Sequence, residues 1–215
     1  MRIGLLGGTF NPVHQGHLHI ADEVHKSCRL DLVWFMPAWQ PPHKEVAANV
    51  SFAHRLAMVE LALVDYPQFQ SCDLEGRRGG TSYSVETLRQ LRDKYPEHEF
   101  FFIMGLDSFR EISLWYNYQQ LFELAHIVVT ARPGFSGEIR ELLPVAIADR
   151  FCYDSQSGNL RFDKGFSLIV VDHTCHHASS TEIRRRIMDH QDVEGSVPPA
   201  VISYINTHQL YVQDR

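Results

Sequence analysis

The start of the chain alternates apolar strands with an amphipathic helix, and this alternation constrains the fold more than any other feature. Residues 2–6 and 32–36 are short apolar runs that indicate buried strands. Between them, apolar side chains recur at intervals of three and four over residues 18–28, which indicates a helix. A strand, a helix and a strand within about 35 residues form a βαβ unit, which requires parallel strands joined by a right-handed crossover.

The rest of the sequence repeats this pattern. Strands are predicted at residues 69–73, 99–104, 126–131 and 167–172, helices at 51–64, 85–94, 137–149, 179–190 and 198–208, a helix within 112–124, and loops at 37–50 and 77–84. Residues 154–164 are typical of a loop or hairpin. The sequence therefore predicts a doubly wound α/β fold with a parallel sheet and a helical C-terminal end, in one domain over residues 1–215. Folds of this class bind ligands beyond the carboxyl ends of their strands.

The composition is that of an ordinary globular protein with an acidic balance. Of 215 residues, 21% are charged, and the formal net charge is −6. Proteins that bind the phosphate backbone are usually basic, so we expect no nucleic-acid partner. The four cysteines form no Cys-x-x-Cys pair, which favours reduced thiols. A signal peptide and an apolar run of about 20 residues are both missing from the sequence, so we expect a cytoplasmic protein without a membrane partner.

The stretch after the first predicted strand, GGTFNPVHQGH at residues 7–17, combines two glycines with two histidines three positions apart. Gly7 and Gly8 allow the backbone to approach a bulky group closely, and the N–H groups of the following helix favour an anion. The stretch is not a Walker loop, and it lacks Gly-x-Gly-x-x-Gly, which argues against a dinucleotide oxidoreductase. Because imidazoles donate hydrogen bonds, His14 and His17 can stabilise charge that develops at phosphorus.

Two other interpretations of these histidines stay open. His-x-x-His spacing could hold zinc together with a thiolate, although no cysteine lies close in the sequence. The histidines could also be purely structural. We favour anion binding because the whole string from residue 7 to residue 17 is more specific than either histidine alone.

A second stretch, SSTEIR at residues 179–184, follows the last predicted strand. Ser179 and Glu182 have the spacing of a capping box, so a helix is predicted to begin here. Ser180 and Thr181 would lie in its first turn, and Arg184, one turn later, can bind phosphate oxygens with its forked guanidinium. The alternative is a well-capped surface helix with a basic run. Because both stretches follow strand ends, we favour a second phosphate site, which residues 178–215 complete.

Together the two stretches carry a family resemblance. The chain resembles the HxGH-type nucleotidyltransferases, and specifically the bacterial nicotinate-nucleotide adenylyltransferases, which implies a Rossmann-like nucleotidyltransferase fold. Ala178 departs from the family pattern, in which isoleucine is usual. Shorter matches are spread over nearly the whole chain, at PPHK (41–44), TSYS (81–84), GLDS (105–108), WY (115–116) and RPG (132–134).

The resemblance implies a reaction, in which ATP and nicotinate mononucleotide give nicotinate adenine dinucleotide and pyrophosphate. It also implies roles for individual residues. The catalytic set would be His14, His17 and Arg184. The ATP site would include Gly7, Gly8, Thr9, Phe10, Gly105, Asp107, Ser180 and Thr181. The mononucleotide site would include Lys44, Thr81, Ser82, Tyr83, Trp115 and Arg132. No protein-bound metal is expected, and Mg²⁺ would be carried by the ATP phosphates.

Several of these residues have plainer interpretations. The carboxylate of Asp107 can accept hydrogen bonds from two ribose hydroxyls, but Asp107 could also be the N-cap of a helix from Ser108 onward. Trp115 offers a flat face to a pyridine, or could be a core aromatic residue. Lys44 could be a solvated charge, and the loop at residues 79–83 an ordinary turn.

Three further points stay open at this level. The cluster His173, Cys175, His176 and His177 has metal-ligand side chains, although the chain is rich in histidine, with 13. The acceptor could be another phosphorylated molecule, or the protein could bind nucleotides without turnover. The oligomeric state is not given by the sequence, and a homo-oligomer is one of the options.

Overall fold

The computed structural model describes residues 1–42, 50–131, 139–172 and 178–212. In these ranges eight strands form one sheet in the order β3-β2-β1-β4-β5-β8-β7-β6. The strands are β1 (Arg2–Gly8), β2 (Leu32–Pro37), β3 (Phe69–Ser71), β4 (Glu99–Gly105), β5 (His126–Ala131), β6 (Phe151–Asp154), β7 (Asn159–Phe162) and β8 (Ser167–Asp172).

Helices alternate with these strands along the chain. They are α1 (Gln15–Ser27), α2 (Phe52–Leu63), α3 (Leu74–Arg78), α4 (Ser84–Lys94), α5 (Leu106–Arg110), α6 (Tyr118–Leu124), α7 (Val145–Ala148), α8 (Ser180–Met188) and α9 (Pro199–Thr207), with 3₁₀ turns at Ile112–Leu114 and Ile139–Leu142. In this part of the chain, no helix is both long enough and apolar enough to cross a bilayer.

The centre of the sheet is parallel, as predicted. β1 pairs with β4, β4 with β5 and β5 with β8, all in parallel register. Gly105 lies opposite Thr130, so β4 and β5 end at the same edge of the sheet. At the other side of β8, β7 pairs with β8 and β6 pairs with β7, both antiparallel. Their connections are only a few residues long and turn through Gly158 and Gly165 at positive φ, which is too short for a parallel crossover.

The chain divides into two compact units. The first comprises Met1–Leu6, Glu23–Val33 and Tyr83–Thr174, and the second comprises Gly7–Asp22, Trp34–Ser82 and Cys175–Arg215. The core of the first unit is built from long apolar strands, typical of strands covered on both faces, with fully buried Ile3, Leu5, Phe100, Ile127 and Val128. The core of the second contains Phe10, Val13, Phe35, Met58 and Val201. The prediction of one domain stays a prediction.

Two predicted segments differ in the structure. The helix expected at 137–149 is wrong for its described part, which forms a 3₁₀ turn and the short α7 on either side of Pro144. Proline has no N–H to continue a helix, so the two pieces stay separate. The loop expected at 77–84 begins later than predicted, because Arg77 and Arg78 still belong to α3. Gly79 then ends that helix at φ 67°, a conformation that glycine adopts without a steric penalty.

Candidate active site

The loop between β1 and α1 is a folded structure held by its own buried residues. Phe10 lies at φ 48° with its ring buried, and the bond between Asn11 and Pro12 is cis. The Phe10 ring contacts that of Phe35, with the centroids 5.7 Å apart. The backbone N–H of Ala38 donates to the carbonyl of Gly8 at 2.8 Å. Phe10 therefore supports the loop from beneath, and Gly7 at its start is exposed.

His14 and His17 form a stacked pair at the start of α1. Their ring centroids are 3.7 Å apart with an interplanar angle of 24°. The backbone N–H of His14 donates to Nδ1 of His17 at 3.2 Å. Because a backbone N–H can only donate, Nδ1 accepts, and the proton of the neutral ring lies on Nε2. The Phe10 ring meets that of His17 edge-on, at 5.0 Å, which fixes the orientation of the imidazole. His17 thus holds a donor on Nε2.

Gly16 keeps the motif close to the segment that precedes α8. A Cβ atom placed on Gly16 would lie 3.1 Å from the His14 ring and 3.6 Å from the carbonyl oxygen of Ala178. The first distance is tighter than an ordinary van der Waals contact, so a side chain here would push the His14 ring aside. Gly16 therefore leaves room for the His14 ring, whereas the Ala178 carbonyl lies at an ordinary contact distance.

The helix α8 begins as the sequence predicts. Ser179 is its N-cap, and Oγ accepts from the N–H of Glu182 at 3.3 Å. The carboxylate of Glu182 accepts from Arg185 at 2.7 Å, and this ion pair lowers the pKa of the Glu182 carboxyl. Ser180 and Thr181 occupy the first turn, whose N–H groups have no partner inside the helix.

The side chains of α8 also hold the histidine loop. Oγ of Ser180 donates to the carbonyl of Pro12 at 2.9 Å, and Nη1 of Arg184 donates to that of Asn11 at 2.7 Å. Nη2 of Arg184 donates to Oγ1 of Thr181 at 3.4 Å. The structure therefore brings the two motifs of the sequence together in the second unit. It also gives Ser180 and Arg184 a role that sequence reasoning did not predict, as supports of the loop backbone.

Tyr211 and Arg55 also support this loop, and sequence reasoning missed both. The hydroxyl of buried Tyr211 donates to Oδ1 of Asn11 at 2.7 Å, and burial raises the pKa of this phenol. Nη1 of Arg55 donates to the carbonyl of Thr9 at 2.8 Å. For Arg55 a signal was present, since it shares a helical face with Met58 and Val59, where a charge is unusual.

Thr81 and Ser82, predicted to contact the mononucleotide, pair with the chain that follows β2. Gln40 and Thr81 form a parallel β-bridge. The N–H of Ser82 donates to the carbonyl of Gln40 at 2.9 Å, and Oγ of Ser82 accepts from the Gln40 N–H at 3.2 Å. The preceding Gly79 and Gly80 both have positive φ. The segment is thus more than a turn, because a β-bridge and a side-chain hydrogen bond fix it to Gln40.

Four of the predicted site residues that the structure describes belong to the first unit. Gly105 ends β4 and is the N-cap of α5, so Asp107 lies inside this helix, and its interpretation as an N-cap is wrong. The side chain of Asp107 is 90% exposed. The ring of Tyr83 lies 4.6 Å from that of Tyr116. Trp115 is half-buried and meets Phe102 edge-on at 6.3 Å, so it is not a core residue.

Other predicted residues lie outside the described part of the chain. They are Lys44, Arg132 and the cluster of His173, Cys175, His176 and His177.

Comparison with known proteins agrees with the motifs. Residues 5–186 match the model of the cytidylyltransferase-like family. A probable nicotinate-nucleotide adenylyltransferase of Syntrophotalea carbinolica is 47% identical over 98% of this chain and 97% of its own length. This chain belongs to the nicotinate-nucleotide adenylyltransferase family. A probable member from Citrifermentans bemidjiense is 45% identical over the full length of both chains. The predicted family is therefore confirmed.

Solved structures confirm the fold. A Plasmodium falciparum nicotinic acid mononucleotide adenylyltransferase, complexed with NaAD, matches with a TM-score of 0.74 over 98% of this chain and 97% of its own. A second structure of that enzyme, complexed with APC, matches with a TM-score of 0.72. At 18% identity these similarities show the fold alone, which is the Rossmann-like α/β fold of nucleotidyltransferases.

Proposed function

We propose that this protein transfers the adenylyl group of ATP to nicotinate mononucleotide, a step of NAD biosynthesis. An oxygen of the mononucleotide 5′-phosphate attacks the α-phosphorus of ATP, and the bond to the bridging oxygen of the β-phosphate breaks. Nicotinate adenine dinucleotide forms and pyrophosphate leaves. The observation that carries the proposal is the stacked His14–His17 pair, held beside the first turn of α8 by Ser180 and Arg184.

This reaction needs little from acid or base groups. The second pKa of a phosphate monoester is about 6, so the attacking group is largely ionised at neutral pH. Catalysis then consists of aligning two anions and offsetting their repulsion. In the proposed mechanism Nε2 of His17 donates a hydrogen bond to an oxygen of the reacting phosphate. His14 donates a second hydrogen bond to the same phosphate. Both histidines act as donors, and neither forms a covalent intermediate.

The leaving pyrophosphate is assigned to α8. Its first-turn N–H groups and the positive end of its dipole favour the β- and γ-phosphates, as do the hydroxyls of Ser180 and Thr181. Arg184 already uses Nη1 on the carbonyl of Asn11 and Nη2 on Oγ1 of Thr181, and the N–H donors that remain are assigned to a phosphate oxygen. The same side chain would then hold both the loop and the leaving group.

The remaining assignments follow the family resemblance. Gly105 and Asp107 are assigned to the adenosine ribose. The pyridine and phosphate of the mononucleotide are assigned to Thr81, Ser82, Tyr83, Trp115, Lys44 and Arg132. The contacts of Gln40 hold residues 81–82 in place, which supports their assignment to the mononucleotide.

Magnesium is proposed as the metal that accompanies ATP. Within the described ranges, no group of three His, Cys, Asp or Glu side chains is arranged to hold a metal ion. The imidazole and guanidinium groups at the phosphate site donate hydrogen bonds and are poor ligands for a hard cation. These residues fit a magnesium ion that phosphate oxygens carry, and such an ion neutralises part of the triphosphate charge.

Pyrophosphate release tests this function. With ATP and Mg²⁺, we expect release when nicotinate mononucleotide is added and a much lower kcat/KM with nicotinamide mononucleotide. Equal rates for acid and amide would keep the adenylyl transfer but overturn the pocket assignment. No release with either would contradict the proposal and lead to other phosphorylated acceptors, and then to a protein that binds nucleotides without turnover.

A further inference from the structure

Arg55 is a buried cation in the second unit, on the first turns of α2. It is 1% exposed and is among the largest fully buried side chains of the described chain. Its guanidinium lies over the ring of Phe52, 5.5 Å from the centroid. Burial lowers the pKa of this guanidinium, and the nearby Tyr211 and Glu75 oppose the effect. Arginine stays charged in proteins, so the site holds a full positive charge away from water.

The guanidinium bonds to the main chain of two separate loops. Nη1 donates to the carbonyl of Thr9 at 2.8 Å, and Nη2 donates to that of Trp39 at 3.3 Å. Thr9 lies just after β1, in the loop that leads to His14. Trp39 lies just after β2, and its ring contacts that of Phe52 at 5.3 Å. Two ends of one planar fork therefore set the spacing of these loops.

The second loop continues directly to the proposed mononucleotide site. Gln40, next to Trp39, forms the β-bridge with Thr81 and the two hydrogen bonds with Ser82. A continuous set of contacts thus runs from Thr9 through Arg55, Trp39 and Gln40 to residues 81–82. It joins the loop assigned to ATP with the segment assigned to the pyridine.

We propose that Arg55 is a positioning residue that orders the ATP loop and the mononucleotide segment together, so that one guanidinium sets the geometry of both substrates. This inference rests on the proposed function. Arg55 touches neither substrate. A purely structural arginine would support the core, whereas both of these hydrogen bonds end on backbone that follows a strand at its carboxyl end.

Conservative substitution tests the role of the fork. Arg55→Lys keeps the charge but offers its donors from one atom, so it cannot hold both carbonyls as the fork does. A hydrogen bond from a charged donor changes an equilibrium constant by a factor on the order of ten. We expect KM for ATP and KM for nicotinate mononucleotide both to rise by roughly that factor, with a smaller change in kcat. Arg55→Met should raise both further.

Arg92→Lys is the matched control. Arg92 is half-buried on α4, and its Nη1 donates to the carbonyl of Leu124 at 3.2 Å, in the first unit. Both KM values should stay at those of the wild type in this variant. A folded Arg55→Lys protein with both KM values within twofold of wild type would overturn the proposal. So would a rise in KM for ATP alone, because Arg55 would then order one loop only.

Hydrogen exchange on the wild-type protein covers the case in which the variants do not fold. We expect ATP alone to slow exchange at the amides of Trp39–Gln40, and nicotinate mononucleotide alone to slow it at Thr9–Asn11. If each ligand protects only its own side, the coupling is wrong.

Failure of the proposed function is seen separately, as a wild-type protein that releases no pyrophosphate. In that case, hydrogen exchange of the folded Arg55→Lys protein still tests the fork. Exchange faster than in the wild type at both loops would show that the fork joins them. Exchange at wild-type rates would overturn the proposal.

Discussion

His17 shows how one backbone hydrogen bond prepares a side chain for chemistry. The N–H of His14 occupies Nδ1, so the proton of the neutral ring faces the other way, on Nε2. Phe10 holds the ring from its edge, and His14 holds it from its face. The imidazole is therefore ordered before any substrate arrives, which is the condition for efficient charge stabilisation.

Removing this donor should affect catalysis far more than stability. We expect His17→Ala to lower kcat by about 10²- to 10³-fold, as for loss of a donor that stabilises the transition state. The melting temperature should fall modestly, because the ring is half-buried and the substitution removes the acceptor of the His14 N–H. His25→Ala, at the far end of α1, is the control and should keep wild-type kcat. A near-normal kcat in His17→Ala would remove this residue from the chemistry.

Gly7 and Gly4 lie on the same strand and should respond differently to alanine. A Cβ on Gly7 would meet no described protein atom within 4 Å, whereas a Cβ on Gly4 would lie 2.7 Å from Leu30 Cδ1 and close to Ile103 and Val33. We expect Gly7→Ala to raise KM for ATP with an unchanged melting temperature. Gly4→Ala should lower stability by about 1–3 kcal/mol through overpacking, with unchanged KM in the folded fraction. Thermal melts and steady-state kinetics check both, and an unchanged KM in Gly7→Ala would show that ATP does not approach this backbone.

At the scale of elements, the start of α8 both caps the helix and supports the histidine loop. Its N-cap fixes where the helix begins, and the residues after the cap support the histidine loop through Ser180 and Arg184. The backbone N–H of Gln15, the first residue of α1, donates to the carbonyl of Ser196 at 2.9 Å, beyond the end of α8. A substitution at the start of α8 should therefore change the position of the histidine loop.

Loss of the cap tests this coupling. Ser179→Ala removes the acceptor for the Glu182 N–H, and we expect a loss of about 1 kcal/mol in the free energy of unfolding. KM for ATP should rise in the same variant, because the first turn of α8 frays. Ser203→Ala on α9 is the control, since its exposed hydroxyl only donates back to Pro199 within the helix. If KM for ATP is unchanged in a measurably destabilised Ser179→Ala, the start of α8 does not bind the nucleotide.

At the scale of the whole molecule, buried acidic groups limit stability at high pH. Burial at the end of α1 raises the pKa of the Cys28 thiol from 9.0 to about 11, although Arg2 opposes the effect. The unfolded chain releases this proton near pH 9, while the folded chain keeps it to about pH 11. Between these values the unfolded state binds fewer protons, so the free energy of unfolding falls as pH rises. Burial raises the pKa of Tyr211 as well, which extends the fall to higher pH.

Denaturant titrations at several pH values check this expectation. We expect the wild type to lose on the order of 2–3 kcal/mol through Cys28 between pH 9 and a pH above 11, since two pKa units correspond to that energy. Cys28→Ala should be less stable at neutral pH but should lose less stability on the alkaline side. Cys152→Ala, at an exposed thiol, is the control and should keep the wild-type slope. Equal slopes in all three proteins would contradict the assignment.

The sequence by itself determined the local features of this protein. The apolar runs gave the central strands, because strands covered on both faces must be apolar along their length. Ser51 and Ser179 predicted the starts of α2 and α8, because capping depends on residues within one turn. The motifs at residues 7–17 and 179–184 predicted a phosphate site for a similar reason, since each carries its chemistry within a few consecutive residues.

Only the tertiary structure decided how these pieces hold one another. Arg55 reaches Thr9 across 46 residues, Arg184 reaches Asn11 across 173, and Tyr211 reaches Asn11 across 200. Each bond joins a side chain to a single atom far along the chain, so it leaves no period or spacing in the sequence. An arginine on an apolar helical face signals that a buried partner exists, but the partner is a backbone carbonyl, which every residue carries. Its identity is fixed only when the loops meet.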